Sequence, residues 1–134
     1  MTKKKYPKFD LLTHKHWFDE QCYVDGDEAW LVETLWEEAK GLPTYEIPII
    51  GMFTDIATWD EAGGFLEFLS HVKLINDADL SYPIILTPDG SIADGRHRLG
   101  KAIVEGQSTI IVQRLVSMPE PDFLFDEDGN TKED

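Results

Sequence analysis

The chain has 134 residues, 42% of them hydrophobic and 28% charged, which is the composition of a single soluble globular domain. Its 26 acidic residues outnumber its 12 lysines and arginines, and the net charge of −14 disfavours general nucleic-acid binding, which depends on basic side chains. No apolar run reaches the ~20 residues of a membrane-spanning helix, and no apolar stretch follows the basic start as in a secretory signal. The single cysteine, Cys22, fits a reducing cytoplasm, where we expect the protein to be.

Residues 1–44 are predicted to form an N-terminal arm and one helix that pack on the rest of the domain. The Asp-Gly-Asp sequence at 25–27 predicts a turn and a possible helix N-cap. From Glu28 to Ala39, apolar side chains recur at helical spacing between glutamates. Gly41 then ends the predicted helix.

Residues 45–117 are predicted to form the core of the domain, because strand and helix patterns alternate there. The patterns predict strands at 45–49, 84–86, 92–93 and 109–115, and helices at 60–72 and 96–105. Mixed strands and helices of this length indicate an α+β (mixed α/β) fold, with one small mixed sheet and helices packed on it.

Residues 118–134 are acidic and rich in proline and glycine, and we predict a flexible tail. The simplest interpretation of the acidic surface is that it keeps the protein in solution. A weaker alternative is that the whole chain is an acidic interaction module for a protein partner.

The most informative segment is the loop Asp94-Gly95-Arg96-His97-Arg98. A short strand precedes Gly95, which tolerates a positive φ, and a helix begins directly after it. The first amides of a helix have no partner within the helix, and the dipole is positive there, so an anion such as phosphate is a natural ligand. Arg96, His97 and Arg98 add donors on the same turn, and guanidinium groups match phosphate oxygens.

Two further basic residues, Lys101 and Arg114, follow this loop closely, and Lys101 is also a candidate ligand for phosphate. The alternative is purely structural. In it, the basic residues form ion pairs with the many acids, and Asp94 is only the N-cap of the helix. The spacing of these residues does not decide between the two interpretations.

The strand at 82–86, the turn after it, the segment 92–102 and Gly106 together resemble the ParB/sulfiredoxin-like superfamily, with this chain as a short, stand-alone member. Members carry a strand, a Gly-x-His-Arg or Gly-x-Arg-Arg loop and a helix. The resemblance covers about half the chain, roughly 45–115. It implies a nucleotide-phosphate site at the residues of the loop, Gly95, Arg96, His97 and Arg98.

Relatives use this loop in different ways. ParB partition proteins bind CTP there, sulfiredoxins bind ATP and use a cysteine before the histidine, and free-serine kinases carry a similar Asp-Gly-His-His-Arg loop. Arg96 occupies the cysteine position of sulfiredoxins, so repair of sulfinic acids is not supported. The chain also shows no helix-turn-helix pattern, and we expect no sequence-specific DNA binding.

Catalytic residues are less clear, and four candidates remain: Asp94, Glu46, Asp55 and His71. An acid near the first core strand acts as a base in kinase-like relatives, which is the reason to consider Glu46 and Asp55. His71 is predicted at the end of its helix, where a structural role is the default because the dipole favours a cation.

The sequence predicts no metal site in the protein itself, since the His-x-His pair at 14 and 16 lacks a second motif. It favours a module that binds a nucleotide (ATP, ADP or CTP, with Mg²⁺) or another phosphate ligand. A small-molecule phosphotransferase or nucleotide hydrolase that uses the same loop is the alternative.

Overall fold

The computed structural model describes Tyr6, residues 22–52 and residues 64–128. Within them the fold is mixed α+β, as predicted, and no described helix has the length and apolar character needed to cross a membrane. The elements in chain order are β1 (Cys22–Asp25), β2 (Glu28–Leu31), α1 (Val32–Ala39), β3 (Tyr45–Pro48), a 3₁₀ turn (Ile49–Gly51), α2 (Phe65–Asp77), β4 (Ile84–Leu86), β5 (Ile92–Asp94), α3 (Arg96–Val104), β6 (Thr109–Arg114) and β7 (Phe123–Leu124).

The predicted core sheet is present, with strand order β3-β6-β4-β5. β3 runs antiparallel to β6, β4 runs parallel to β6, and β4 and β5 form an antiparallel hairpin. Gly90 has a φ of 92° in the turn of this hairpin, a conformation that glycine adopts without a steric penalty. Pro48 ends the edge strand β3, where its missing N–H costs little.

A second sheet, with strand order β1-β2-β7, was not predicted from the sequence. The predicted helix start at Glu28 is wrong, because Glu28–Leu31 is a strand paired antiparallel with β1. Asp25 pairs with Glu28 across a tight turn that contains Gly26 at a φ of 62°. The Asp-Gly-Asp signal is therefore a hairpin turn, and the helix begins only at Val32.

The segment after the core sheet also differs from the prediction. Phe123–Leu124 pairs with β2, the Trp30 indole donates to the Pro119 carbonyl at 2.8 Å, and the Leu31 amide donates to Asp122 at 2.9 Å. The prediction of a flexible tail over 118–134 is wrong for this part, because the backbone of the segment completes the second sheet. Residues 129–134 lie outside the described residues.

The hydrophobic core has two parts, because alternate side chains of a strand point to opposite faces of a sheet. One cluster of buried side chains joins the sheet to α3 and comprises Ile84, Leu86, Ile92, Leu99, Ala102, Ile110 and Val112. The other joins it to α1 and β2 and comprises Trp30, Leu35, Ala39, Ile85, Ala93 and Leu115. The core sheet is thus covered on both faces, which fixes β5 and the loop after it between two layers.

Helix α2 extends to Asp77, five residues beyond its predicted end, and part of its predicted first turn lies outside the described residues. His71 therefore lies near the middle of the helix, and the expectation that it closes the helix is wrong. Helix α2 packs against α3. A Cβ atom added to Gly100 of α3 would lie 3.5 Å from the side chain of Ile75 of α2. The close packing at Gly100 brings the side of α2 that carries His71 toward the start of α3.

Candidate functional site

Gly95 makes the transition from β5 to α3. Its φ of 113° and ψ of 21° lie in the left-handed region, and it caps the helix without a side-chain hydrogen bond. A Cβ at this position would lie 2.8 Å from the buried Ile84 side chain, so only glycine fits. The Leu99 amide donates to the Gly95 carbonyl at 2.9 Å, which is the first hydrogen bond of the helical ladder of α3.

The start of α3 opens into a cleft of about 400 Å³ between both sheets and α2. Its walls are the β1 residues 22–24, the end of α2 at 77–79 and the loop at 93–98, together with Val32 and Leu74. The cleft combines the positive end of a helix dipole with two guanidinium groups of the loop. This arrangement suits a small anionic ligand.

Asp94 and Arg98 form an ion pair with 2.9 Å between the guanidinium Nη2 and the carboxylate Oδ2. Their side chains are only 17% and 18% exposed. The Trp36 indole also donates to the same carboxylate oxygen, at 2.8 Å. Arg98 thus forms an ion pair with an acid, as the purely structural interpretation of the loop predicts. The Nε of the same guanidinium is buried without a hydrogen-bond partner among the described residues.

His97 is held by a second histidine. Its Nε2 lies 3.1 Å from Nδ1 of His71, and the two rings stack at 5.4 Å with 15° between their planes. One ring must donate and the other accept, so the protonation states of the two histidines are linked. His71 is buried, and this contact places a candidate catalytic residue of α2 beside the loop.

The other two clustered basic residues point elsewhere. The Lys101 ammonium donates to the carbonyls of Asn76 and Ala78 at 2.9 and 2.8 Å, and so caps the end of α2. Arg114 donates to the Pro88 carbonyl in the β4–β5 hairpin. Neither residue lines the cleft, so among the described residues Arg96 and Arg98 are the arginines and lysines that line it.

Glu46, another catalytic candidate, does not line the cleft. Glu46 lies on β3, at the opposite edge of the core sheet from Asp94, and accepts a hydrogen bond from the Thr109 hydroxyl at 2.7 Å. Asp55 lies outside the described residues, as do the histidines at 14 and 16. Among the described residues, no three histidine, cysteine or acidic side chains are grouped closely enough to hold a metal ion.

Two acids that sequence reasoning missed, Asp77 and Asp79, line the cleft at the end of α2. A hydrogen bond from Lys73 lowers the pKa of Asp77, and hydrogen bonds from the Ser81 hydroxyl and amide lower that of Asp79. Both carboxylates therefore stay ionised at neutral pH. No sequence motif marks them, because the packing of α2 beside α3 places them there.

Tyr23 is another missed cleft residue, and it provides a test of the local charge. Burial raises its pKa above the ordinary value of 10, Asp25 and Asp89 raise it further, and Arg96 lowers it. The pKa of Tyr23 is therefore higher in the folded state than in the unfolded state. The contribution of Tyr23 to stability is present below pH 10 and is lost as the pH rises through the folded-state pKa. We expect Arg96→Ala to raise the pKa of Tyr23. The pKa is measured by ultraviolet absorbance during a pH titration. The same titration of the Tyr23→Phe variant is subtracted, so that the difference reports Tyr23 alone.

Comparison of the chain with protein-family models, with curated proteins and with solved structures found no match. The resemblance of the loop to the ParB/sulfiredoxin-like superfamily stays a prediction.

Proposed function

We propose that the protein binds a phosphate-bearing small molecule, of the class of ATP, ADP or CTP, in the cleft at the start of α3. The observation that carries the proposal is the left-handed Gly95, which follows β5 and places the start of a nine-residue helix at a cleft that Arg96 and Arg98 line. Backbone amides, helix dipole and guanidinium charge then act on the same anion. The resemblance of the loop implies the same ligand class.

The cleft also suits a ligand that carries Mg²⁺. Magnesium bound to a nucleotide needs one or two carboxylates besides the phosphate oxygens and water. Asp77 and Asp79 are the ionised carboxylates at the side of the cleft opposite the loop, and they would hold the ion, which neutralises phosphate charge. We therefore expect nucleotides to bind more tightly with Mg²⁺ than without it.

The direct test is calorimetric titration and thermal denaturation with tripolyphosphate, ATP, ADP, CTP and GTP, each with and without Mg²⁺. A ligand at a hundred times its Kd stabilises the folded state by about 2.7 kcal/mol, so binding is visible as a higher Tm. If none of these compounds binds or raises the Tm at millimolar concentration, the proposal is wrong.

Arg96→Ala tests the contribution of the Arg96 guanidinium, which lines the cleft. A charge-assisted hydrogen bond contributes about 1.5–3 kcal/mol, so we expect tripolyphosphate and ATP affinity to fall tenfold or more. The matched control is Arg114→Ala, which removes the same charge outside the cleft. We expect the control to change affinity less than twofold at physiological salt, where the screening length is about 8 Å. Equal losses in both variants would mean that only overall charge matters.

The histidine pair favours a second candidate, a phosphotransferase or nucleotide hydrolase that uses the same cleft. His97 lines the cleft, where an imidazole can act as a general acid or base toward a bound ligand, and His71, 3.1 Å away, orients its ring. The test is release of phosphate from Mg-ATP or transfer to added small alcohols. A rate that His71→Asn lowers without changing ATP affinity would support the enzyme. ATP that binds and stays intact would leave the binding module as the function.

A further inference from the structure

A second cavity, of about 520 Å³, lies against the other side of Arg98. We call it the aromatic groove, because two aromatic side chains, Trp36 and Tyr82, lie at it and are 51% and 62% exposed. The buried Ile85 and the partly buried Pro83 provide apolar surface. Exposed tryptophan and tyrosine side chains around an apolar cavity are typical of ligand sites.

The tryptophan of this groove is fixed in place. Its indole Nε1 donates to Asp94 at 2.8 Å, so the ring cannot rotate without losing that hydrogen bond. Half of the ring nevertheless stays exposed to solvent. A flat side chain that is held at one edge and exposed elsewhere is a preorganised surface for stacking.

The groove adjoins the cleft at Arg98, a residue that lines both cavities. Among the described residues, the cations that line the groove are each paired with an acid: Lys40 with Glu37 at 3.1 Å and Arg98 with Asp94 at 2.9 Å. The Asp94 carboxylate also accepts the hydrogen bond from Trp36, so the tryptophan of the groove and the cleft are linked through one ion pair.

We infer that the aromatic groove binds the base of the nucleotide whose phosphates occupy the cleft, an inference that depends on the proposed function. The ligand is then a nucleotide and not a sugar phosphate or free phosphate. Stacking of a base on an aromatic side chain tolerates any base, because every base has a π face. The affinity for ATP and CTP therefore exceeds that for tripolyphosphate by tenfold or more.

The test compares ATP with tripolyphosphate on Tyr82→Ala and on a matched control, Tyr45→Ala. Tyr45 is 55% exposed, similar to Tyr82, but lies on β3 at the far edge of the core sheet and does not line the groove. We expect Tyr82→Ala to weaken ATP binding about tenfold and to leave tripolyphosphate binding unchanged. Tyr82→Phe keeps the ring and should restore ATP affinity. Tyr45→Ala should bind both compounds as the unaltered protein does.

The outcomes separate this inference from the proposed function. One outcome is that ATP and tripolyphosphate bind equally well and that Tyr82→Ala has no effect on either, in which case the groove does not hold the base. If Arg96→Ala still weakens both compounds, the proposed phosphate site is supported. If Tyr82→Ala weakens both compounds alike, the residue acts on the cleft through structure and the inference is overturned. If neither compound binds, the proposed function is wrong and the base site is wrong with it.

Discussion

Gly95→Ala is expected to destabilise the protein by about 2–6 kcal/mol and to abolish measurable phosphate binding. A residue with a side chain costs roughly 1–3 kcal/mol at a φ of 113°, because that backbone region is strained for it. The added Cβ would also lie 2.8 Å from Ile84 and 3.0 Å from the Arg98 guanidinium, and overpacking of this kind costs about 1–3 kcal/mol more. Because the strain is relieved by moving the start of α3, the amides of the first turn lose their positions. Chemical denaturation and titration with tripolyphosphate measure the two effects.

The matched control is Gly90→Ala in the turn of the β4–β5 hairpin. Gly90 has a similar φ of 92°, but a Cβ there meets nothing within 4 Å, so the substitution adds backbone strain alone. We expect Gly90→Ala to cost about 1–2 kcal/mol and to leave tripolyphosphate affinity unchanged. Equal destabilisation by both substitutions would show that Ile84 and Arg98 accommodate the methyl group, contrary to the tight fit described above.

The sequence predicted the core sheet and the loop well because their signals are local. The apolar run at 84–86, the turn residues after it and the glycine before a helix each specify their own backbone conformation. The predicted order of strand, Gly95 and helix is confirmed at 92–104. A candidate phosphate site at a helix start can be proposed from the sequence for the same reason, since the amides of a first helical turn are consecutive.

The second sheet could not be predicted, because its strands are short and its partners are distant. Apolar residues at 30, 31, 35 and 39 fit one continuous helix as well as a strand that runs into a helix. Pairing with Phe123–Leu124, about ninety residues later, helps to make Glu28–Leu31 a strand. The acidic composition of 118–134 suggested disorder, yet a few apolar side chains and backbone pairing were enough to order its first part.

The contacts within the site were also beyond prediction, because they join residues far apart in the chain. No sequence motif marks Trp36, and only its position on α1 shows that its indole donates to Asp94. Similarly, His71 meets His97 because α2 runs past the start of α3. Lys101 read as a phosphate ligand from its nearness to the loop, but at this position on α3 its side chain reaches the end of α2 instead.

Arg98→Ala is expected to lower the free energy of unfolding by about 1–3 kcal/mol, because it leaves the Asp94 carboxylate, 17% exposed, without its ion-pair partner. At roughly 4 °C per kcal/mol for a domain of this size, the Tm falls by about 4–12 °C. Arg96→Ala, on the same turn, leaves the ion pair of Asp94 and Arg98 in place, so the part of the Tm loss that comes from an unpaired Asp94 is expected for Arg98→Ala alone. Thermal denaturation and tripolyphosphate titration of both variants measure the two effects.

The cause of the Arg98 effect is tested by adding Asp94→Asn to Arg98→Ala. An amide at 94 still accepts the Trp36 hydrogen bond but carries no charge, so no buried carboxylate is left without a partner. We expect the double variant to be more stable than Arg98→Ala alone, by about 1 kcal/mol, because replacing both partners of a buried pair costs less than removing one. A double variant that is less stable than Arg98→Ala would show that the guanidinium stabilises the fold through packing of its stem against the two cavities, and not through the charge of Asp94.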